Sequence, residues 1–390
     1  MAFTVSYADR ILNLPPYVFA QIDAMKRKAI EEGRDIINLG VGDPDGATPD
    51  FVVERLRETA VNADYHHYPS YVGLMDFRKA VAEYYSKMNA VTLDPATEVL
   101  ALIGSKEGVG HVPLAYVNPG DVVLVPDPGY PVYDSGTLFA GGISHIMPLL
   151  RENGFLPDLD AIPANVARKA KLMFINYPNN PTGAVCGIEF FEKIVAFARE
   201  YNIIVVHDAA YADVTFDGFR AQSFLEVPGA KEVGIELYSL SKTYNMTGWR
   251  IAAAVGSAEI LAGLGKVKTN LDSGVFEPIQ LAAISALASD QSFVAKNNAI
   301  YQERRDILVG GLKKLGWDVD MPKGTFYVWI PVPKGMTSSE TTALLIAEAA
   351  VVTTPGNGFG QHGEGFIRMT ITTSKERLEE TIDRLAKISF

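Results

Sequence analysis

Residues 239–250 read SLSKTYNMTGWR and place one lysine, Lys242, among hydroxyl side chains, with Arg250 eight positions later. A lysine whose amine is neutral can attack a carbonyl carbon to form an imine, and burial or nearby positive charge favours that neutral form. An arginine can bind a phosphate through two parallel hydrogen bonds. A lysine flanked by Ser and Thr also occurs in solvated loops, so the chemistry of this segment depends on what other segments supply.

A candidate anion site lies in the segment LIGSKEG. The pattern predicts a strand that ends at Gly104 and a helix that begins near Lys106. Backbone N–H groups and the Ser105 hydroxyl could then face an anion at the positive end of the helix dipole. Gly-Ser before a helix is also a common helix cap. The spacing differs from that of the phosphate-binding loop of nucleotide triphosphatases, which disfavours a nucleotide triphosphate as the ligand.

Two further segments place polar side chains directly after apolar strands. INYPNNPTG sets Asn180 after one predicted strand, where it either forms a turn before a helix or reaches a ligand. IIVVHDAAY ends another strand with Asp208 and continues to Tyr211. Asp208 could cap a helix, or its carboxylate could keep a pyridine nitrogen protonated. His207 is predicted to pack in the interior or to support Asp208.

The elements that must position these residues alternate along the chain from about residue 98 to residue 290. VLALIG, DVVLVPD, KLMFIN and IIVVHD are short apolar runs bounded by Gly, Pro or Asp, whereas IEFFEKIVAFAREY is apolar at helical spacing. This alternation predicts an α/β fold with a mostly parallel sheet flanked by helices on both faces. Ligands of such sheets bind at the carboxyl ends of the strands, where the polar residues described above occur.

The pattern changes beyond residue 290. A long helical segment leads to the strand TFYVWIPV, then to a helix, to the strand GFIRMTIT and to a final amphipathic helix. We therefore expect a large domain at residues 46–290 and a smaller α+β domain at residues 291–390. The N-terminal segment, residues 1–45, is expected to pack with the small domain.

The composition is that of an ordinary globular protein, with 48% hydrophobic and 21% charged residues in a chain of 390. The net charge of −11 and the lack of a Lys/Arg block disfavour nucleic acid and anionic membranes as partners. The single cysteine, Cys186, permits no internal disulfide, and no signal-peptide pattern occurs, so we expect a cytoplasmic protein. His66 and His67 lack further ligands at metal spacing, and no metal site is predicted.

Five motifs in register, GSKEG, PGYPVY, NNPTG, HDAAY and SLSKTYNMTGWR, resemble those of the class I and II aminotransferases. The resemblance runs from LGVGDPD near residue 39 to GFIRMT near residue 365, so it covers nearly the whole chain. It implies fold type I, pyridoxal 5′-phosphate as the cofactor, and amino-group transfer between an amino acid and 2-oxoglutarate by a ping-pong mechanism. In that context the solvated loop becomes the weaker interpretation of Lys242.

The resemblance also implies roles for individual residues. Lys242 would bind the cofactor covalently and move the proton of the substrate α-carbon, and Asp208 would pair with the pyridine nitrogen. Arg368 would bind the substrate α-carboxylate with Gly42 on the other side, and the glycine-rich segment GNGFGQHG is predicted to be a mobile loop beside it. Tyr68 would reach the phosphate in the partner subunit. At the cofactor ring, Asn180 and Tyr211 would contact the phenolic oxygen and Tyr130 would cover one face. Tyr130 and Asn180 would also border the substrate. The phosphate contacts would be Ser105, the Lys106 backbone, Ser239, Ser241 and Arg250.

Within this family, the segments LPPYVFAQID, LIGSKEG and DSGVF are most similar to the LL-diaminopimelate aminotransferases of lysine biosynthesis. That substrate carries a second amino-carboxylate head. Lys106 would meet its carboxylate, while Tyr17 and Glu277 would meet its amine or bound waters. Tyr68 and the segment DSGVFEP imply a homodimer with shared active sites.

Several alternatives are open within the fold: an alanine, aspartate or aromatic amino acid aminotransferase, or a C–S β-lyase. A regulator that uses the fold as a binding module belongs to a different class. It is disfavoured because the fold motifs begin within the first forty residues, which leaves no room for a DNA-binding domain before them.

Overall fold

The computed structural model describes residues 3–14 and 19–388. Its strands are β1 (Ile37–Asn38), β2 (Val99–Leu102), β3 (Val122–Asp127), β4 (Ile143–Pro148), β5 (Ala170–Ile175), β6 (Ile204–Asp208), β7 (Gly234–Ser239), β8 (Ala252–Gly256), β9 (Tyr327–Pro331), β10 (Val351–Val352), β11 (Thr354–Pro355) and β12 (Phe366–Thr370). Its α-helices are α1 (Asp9–Leu12), α2 (Phe19–Glu31), α3 (Asp50–Ala60), α4 (Met75–Asn89), α5 (Ser105–Tyr116), α6 (Val132–Phe139), α7 (Ala164–Ala167), α8 (Ile188–Tyr201), α9 (Ala230–Val233), α10 (Leu240–Thr243), α11 (Ala258–Leu271), α12 (Glu277–Leu287), α13 (Ser292–Lys314), α14 (Ser338–Leu344) and α15 (Lys375–Leu385). In this described part of the chain, no helix combines the length and apolar character needed to cross a bilayer.

The large sheet of the described residues has seven strands in the order β2-β8-β7-β6-β5-β3-β4. Strands β3 to β7 are parallel to their neighbours within this group, whereas β8 is antiparallel to both β7 and β2. The predicted mostly parallel sheet is therefore confirmed. Because β5, β6 and β7 run in the same direction, the residues that follow them meet at one edge of the sheet.

Both faces of the large sheet are covered, and β5 shows how its sequence produces this. Leu172 and Phe174 belong to one hydrophobic core, while the alternating residues Met173 and Ile175 belong to another. Side chains of a strand point to opposite faces in turn, so a strand buried on both sides needs a continuous apolar run. The run LMFI, residues 172–175, meets that need and is typical of an inner strand.

The C-terminal part of the chain forms a three-stranded antiparallel sheet in the order β11-β12-β9. Arg368 on β12 lies opposite Trp329 on β9. A separate parallel pair joins β1 to β10, with Ile37 opposite Val351. The N-terminal segment thus contacts the C-terminal region through backbone hydrogen bonds, while the domain boundaries after residues 45 and 290 stay a prediction.

The runs that the sequence pattern assigns to strands and helices agree with the structure within a few residues, and α8 spans the helical run 188–201. The segment ELYSLS, residues 236–241, is also a short β-rich run, but its strand ends at Ser239 and Leu240 begins the short helix α10. The Ser239 hydroxyl accepts a hydrogen bond from the Ser241 N–H (3.2 Å), which caps that helix. The pattern does not indicate β4, because this edge strand is partly exposed and lacks a continuous apolar run.

A buried ion network lies at the start of α5. The Lys268 side chain, which is 0% exposed, donates to Glu107 (2.8 Å) and to Asp272 (3.1 Å). Glu107 also accepts a hydrogen bond from the Ile103 N–H (2.5 Å). Burial raises the pKa of Glu107, but hydrogen bonds from His111 and Lys268 outweigh it, so the pKa lies below its usual value. Glu107, His111 and Asp272 lie close enough to hold a cation, and the Lys268 ammonium supplies that charge.

We expect Lys268→Met to lower the free energy of unfolding by about 3–5 kcal/mol, because it leaves two carboxylates buried without their cation. Lys266 lies exposed on the same helix, and Lys266→Met should change the free energy by less than about 0.5 kcal/mol. Urea unfolding at fixed protein and cofactor concentration measures both variants. Equal effects of the two substitutions would contradict a structural role for the network.

Candidate active site

Lys242 lies on α10, which begins directly after β7. Its amine donates a hydrogen bond to the Gly42 carbonyl (3.1 Å) and lies 5.4 Å from the centroid of the Phe326 ring. The next residue, Thr243, donates to the carboxylate of Asp213 (2.9 Å) in the segment that follows β6. The helix that carries the lysine is therefore tied to the neighbouring strand end.

Burial lowers the pKa of the Lys242 amine from 10.5 to about 8. Asp43 opposes this shift, whereas the positive charges of Arg368 and Arg250 add to it. The result is an amine that is partly neutral near neutral pH. Imine formation requires this neutral form, because only an unprotonated nitrogen has a lone pair for attack.

Asp208 ends β6 and is 6% exposed. Its Oδ2 accepts a hydrogen bond from the Tyr133 hydroxyl (2.9 Å), while its Oδ1 is buried with no hydrogen-bond partner among the described residues. Burial raises the pKa of this carboxyl, and the hydrogen bond from Tyr133 opposes the rise. A buried carboxylate oxygen without a donor is costly unless a ligand supplies one. Oδ1 is therefore available to a protonated ring nitrogen.

The turn after β5 joins two strand ends to the small sheet. The Asn176 side chain accepts a hydrogen bond from the Asn180 N–H (2.8 Å) and donates to the Asp208 carbonyl (2.6 Å). Asn180 Oδ1 in turn accepts from the guanidinium of Arg368 (2.8 Å). The NNPTG motif thus does more than form a turn, because it orients an amide between Asp208 and Arg368.

Arg368 extends from β12 and is 7% exposed. Its guanidinium donates to Asn180 Oδ1 and to the Gly40 carbonyl, each at 2.8 Å. It lies 4.1 Å from the centroid of the Tyr327 ring and 4.6 Å from that of Phe359. A guanidinium has five N–H donors, and its Nε has no partner among the described residues. The contacts hold the cation in one orientation and leave donors for a carboxylate.

The start of α5 forms an anion site together with Arg250. Gly104 has φ of +80°, a backbone conformation that favours glycine, and the Arg250 guanidinium lies against it. Ser105 begins α5, whose first N–H groups have no acceptor within the helix. Helix N-terminus, hydroxyl and guanidinium together suit a phosphate dianion.

Tyr130 and Tyr211 are neutral phenols at neutral pH. Burial raises the pKa of Tyr130 to about 12, and its ring meets that of Tyr133 edge to face at 5.8 Å. Burial also raises the pKa of Tyr211 well above its usual value, and its hydroxyl lies 3.1 Å from that of Tyr327. Both hydroxyls can therefore donate hydrogen bonds to an anionic ligand atom.

One cavity of about 520 Å³ brings most of the predicted residues together. Tyr68 and Glu277 do not line it, and Tyr68 is 87% exposed. Tyr17 lies outside the described residues. The predicted residues that line the cavity are Gly42, Ser105, Lys106, Tyr130, Asn180, Asp208, Tyr211, Ser239, Ser241, Lys242, Arg250 and Arg368.

The structure adds three aromatic residues that the sequence patterns did not assign to the site: Tyr133, Tyr327 and Phe359. All three line the cavity. Tyr133 lies in the motif PGYPVY, three residues after Tyr130, and this proximity was the only available signal. Tyr327 belongs to an apolar strand and Phe359 to a glycine-rich segment, and neither context distinguishes a site residue from a packing residue.

The model of the family aminotransferase class I and II matches residues 34–385. LL-diaminopimelate aminotransferase of Syntrophobacter fumaroxidans is 58% identical over 383 residues, which cover 98% of this chain and 99% of that protein. The enzyme of the same name from Moorella thermoacetica is 56% identical over 381 residues, which cover 98% of each chain. The solved structure of substrate-bound BacF from Bacillus subtilis matches with a TM-score of 0.94 at 41% identity and covers 98% of both chains.

The fold and the cavity define a fold type I transferase with a buried lysine amine beside an anion site. The chain belongs to the class I and II aminotransferases, because the family model and the relatives match nearly its whole length. Enzymes of this family depend on pyridoxal phosphate, and this protein is a transaminase that uses that cofactor.

The residues of the cavity fit pyridoxal 5′-phosphate in three respects. The amine of Lys242 is partly neutral, as covalent attachment requires. The unpaired Oδ1 of Asp208 offers an acceptor to a pyridinium N–H. The start of α5 and Arg250 offer donors to a phosphate. The roles of the individual residues stay predictions.

We expect pyridoxal phosphate to attach to Lys242 of the apoprotein with a pH midpoint near 8, because the amine reacts only in its neutral form above its lowered pKa. Borohydride trapping across the pH range, followed by peptide mapping, measures this. Asp43→Asn should move the midpoint lower, because Asp43 raises the pKa of Lys242. Label on another lysine, or a midpoint near the ordinary value, would refute the assignment.

Proposed function

We propose that the protein transfers an amino group from LL-2,6-diaminopimelate to 2-oxoglutarate in lysine biosynthesis. The observation that carries this proposal is the 58% identity over 383 residues with an enzyme named LL-diaminopimelate aminotransferase. That identity extends through 98% of the chain. The aligned region therefore spans the segments that line the cavity as well as the strands beneath them.

The charges of the cavity support a substrate with two carboxylates. Arg368 and Lys106 both line it, and Arg368 is held by fixed contacts while Lys106 is exposed at the start of α5. Arg368 would bind the α-carboxylate at the reacting end, with Gly42 beside it. Lys106 would meet the distal carboxylate. A distal head left without partners in a closed site would lose binding free energy, which favours the substrate that carries one.

The remaining site residues would hold the cofactor. Asp208 would accept from the pyridinium N–H through Oδ1, and Asn180 and Tyr211 would donate to the phenolic oxygen. Tyr130 would cover one face of the ring. The phosphate would bind to Ser105, the Lys106 backbone, Ser239, Ser241 and Arg250.

The bound cofactor would supply an electron sink for the negative charge that develops at the substrate α-carbon. Lys242 would take the proton from that carbon at its Nζ, which is the reason that a partly neutral amine matters. The hydrogen bond from Tyr133 would keep Asp208 ionised against the effect of burial. Arg368 would orient the substrate so that the α-proton faces the lysine.

We also propose that the enzyme is a homodimer with shared active sites. Tyr68, Leu271 and Phe276 are 87%, 60% and 40% exposed. Their segments lie together, since Gly274 packs against the Ser70 carbonyl and the Leu74 N–H donates to the Gln280 side chain (2.7 Å). Exposed aromatic and aliphatic side chains on one surface favour burial against a second copy. Tyr68 would then contribute to the partner's phosphate site and Glu277 to its substrate. The cytoplasmic location stays a prediction.

LL-2,6-diaminopimelate should be a far better donor to 2-oxoglutarate than alanine, aspartate or tyrosine, because those donors lack the distal amino-carboxylate head. Measurement of kcat/KM for each donor tests this. Robust alanine or tyrosine transamination without diaminopimelate activity would overturn the proposed substrate and leave the reaction class intact. Release of ammonia and pyruvate without a keto acid would indicate the C–S β-lyase instead.

Lys106→Met should lower kcat/KM for LL-diaminopimelate by about tenfold to a hundredfold, which is the usual cost of losing a hydrogen bond to a charged group. The backbone N–H stays in place, so cofactor affinity should be unchanged. Alanine provides the control, because it has no distal head, and its slow transamination should not respond. Equal losses for both donors would contradict the role of Lys106 in recognising the distal carboxylate.

Mixing Tyr68→Phe with Lys242→Ala subunits should restore activity at limiting cofactor, because the mixed dimer has one site with both residues intact. Statistical exchange predicts that about a quarter of the sites recover. Tyr71→Phe serves as the control, since Tyr71 is also exposed in the same segment and lies outside the predicted site. No recovery, or an active monomer in sedimentation, would refute the shared site.

A further inference from the structure

We propose that Asp127 is a positioning residue for recognition of the substrate α-carboxylate. It would act by holding the segment 356–363 so that Phe359 covers Arg368. This inference rests on the role proposed for Arg368 and adds a residue that does not line the cavity. The segment 356–363 is called the capping loop below.

The capping loop is attached to the large sheet through the Asp127 carboxylate. Asp127 ends β3 and is 6% exposed. Its Oδ2 accepts from the Gln361 N–H (3.0 Å) and its Oδ1 from the His362 N–H (2.9 Å). Two successive backbone donors thus converge on one buried carboxylate, and charge-assisted hydrogen bonds of this type are stronger than neutral ones.

The close approach of the loop to this carboxylate depends on glycine. Gly360 has φ of +126°, and a Cβ at this position would collide with the Asp127 carboxylate. A second link lies next to it, where the Gly129 N–H donates to the Phe359 carbonyl (2.9 Å). The loop is therefore anchored on both sides of Gly360, and Phe359 lies directly at one anchor.

The anchored loop places an aromatic ring on the substrate-binding cation. The Phe359 ring centroid lies 4.6 Å from the Arg368 guanidinium carbon, and the same ring meets Trp329 edge to face at 5.9 Å. An aromatic face attracts a cation and keeps water from it. An arginine shielded from water attracts a carboxylate more strongly than a solvated one, because the local dielectric constant is lower.

Asp127→Asn isolates this effect with little change in shape. The asparagine amide keeps one acceptor oxygen, but its NH₂ group would face a backbone N–H, so one of the two anchors becomes a contact between donors. The residues that form the cofactor site are untouched. The loss should therefore appear in carboxylate recognition and not in cofactor chemistry.

The test compares two probes of the holoenzyme that condense with the cofactor through the same aminooxy group. Aminooxyacetate carries a carboxylate and methoxyamine does not. In Asp127→Asn we expect the second-order rate constant for aminooxyacetate to fall about tenfold or more, and that for methoxyamine to stay within about twofold. Gln361→Ala is the matched control, because it keeps the backbone N–H that donates to Asp127 and changes only an exposed side chain, so it should preserve the wild-type ratio of the two rates.

Phe359→Leu and Gly360→Ala provide a second route if Asp127→Asn does not fold, and both should lower the aminooxyacetate rate selectively. Equal losses for the two probes, or an unchanged ratio in these loop variants, would overturn the proposal. The probes contain no diaminopimelate, so this outcome does not depend on whether the proposed amino donor is correct.

Discussion

The arrangement of the site depends on the hydrogen bonds of one buried cation, Arg368. Its guanidinium joins Asn180, which follows an inner strand of the large sheet, to the carbonyl of Gly40, which follows the strand pair of the N-terminal segment. The hydrogen bond between Lys242 and Gly42 crosses the same gap two residues later. Three distant parts of the chain therefore meet around polar groups that must be satisfied because water has little access. The cavity exists where these parts meet, and its geometry is set by their mutual contacts.

Burial has opposite effects on the charges of two groups in this cavity, and the proposed chemistry would use both. It lowers the pKa of Lys242 and so favours the neutral, reactive amine. It also raises the pKa of Asp208 and so disfavours the carboxylate anion that would pair with a pyridinium. The Tyr133 hydroxyl counters the second effect by donating to Asp208 Oδ2. Neighbouring arginines strengthen the first effect. One low-dielectric environment thus yields a neutral base and favours an ionised acceptor, because their hydrogen-bond partners differ.

The parts of the site that sequence could predict are those placed by strand direction. Lys242, Asp208 and Asn180 each follow a buried apolar run, and parallel strands necessarily bring such residues to one edge. The family resemblance placed the segment 356–363 beside Arg368, but not the Phe359 ring on its guanidinium, because that contact depends on a carboxylate more than two hundred residues away in the chain. The edge strand β4 was not predicted for a related reason. Its pairing with β3 stabilises it, while its own residues show little apolar pattern. Local sequence patterns indicate which residues are buried, whereas contacts between distant segments can be identified only in the folded structure.

In this arrangement, the residues proposed to carry out the reaction and those proposed to select the substrate lie on different elements. In the proposed roles, residues at the strand ends would act on the atoms that every amino acid shares, so they would define the reaction without selecting the donor. Selection must come from groups that reach the rest of the substrate, and these lie on less constrained elements. Lys106, which we propose meets the distal carboxylate, is exposed on the first turn of α5. Because its side chain does not help to hold the strand ends together, it can change while the reaction centre stays intact. The amino donor is therefore harder to infer from the fold than the reaction class. The fold positions the groups that would act on any amino acid, whereas a few peripheral charges would select the substrate.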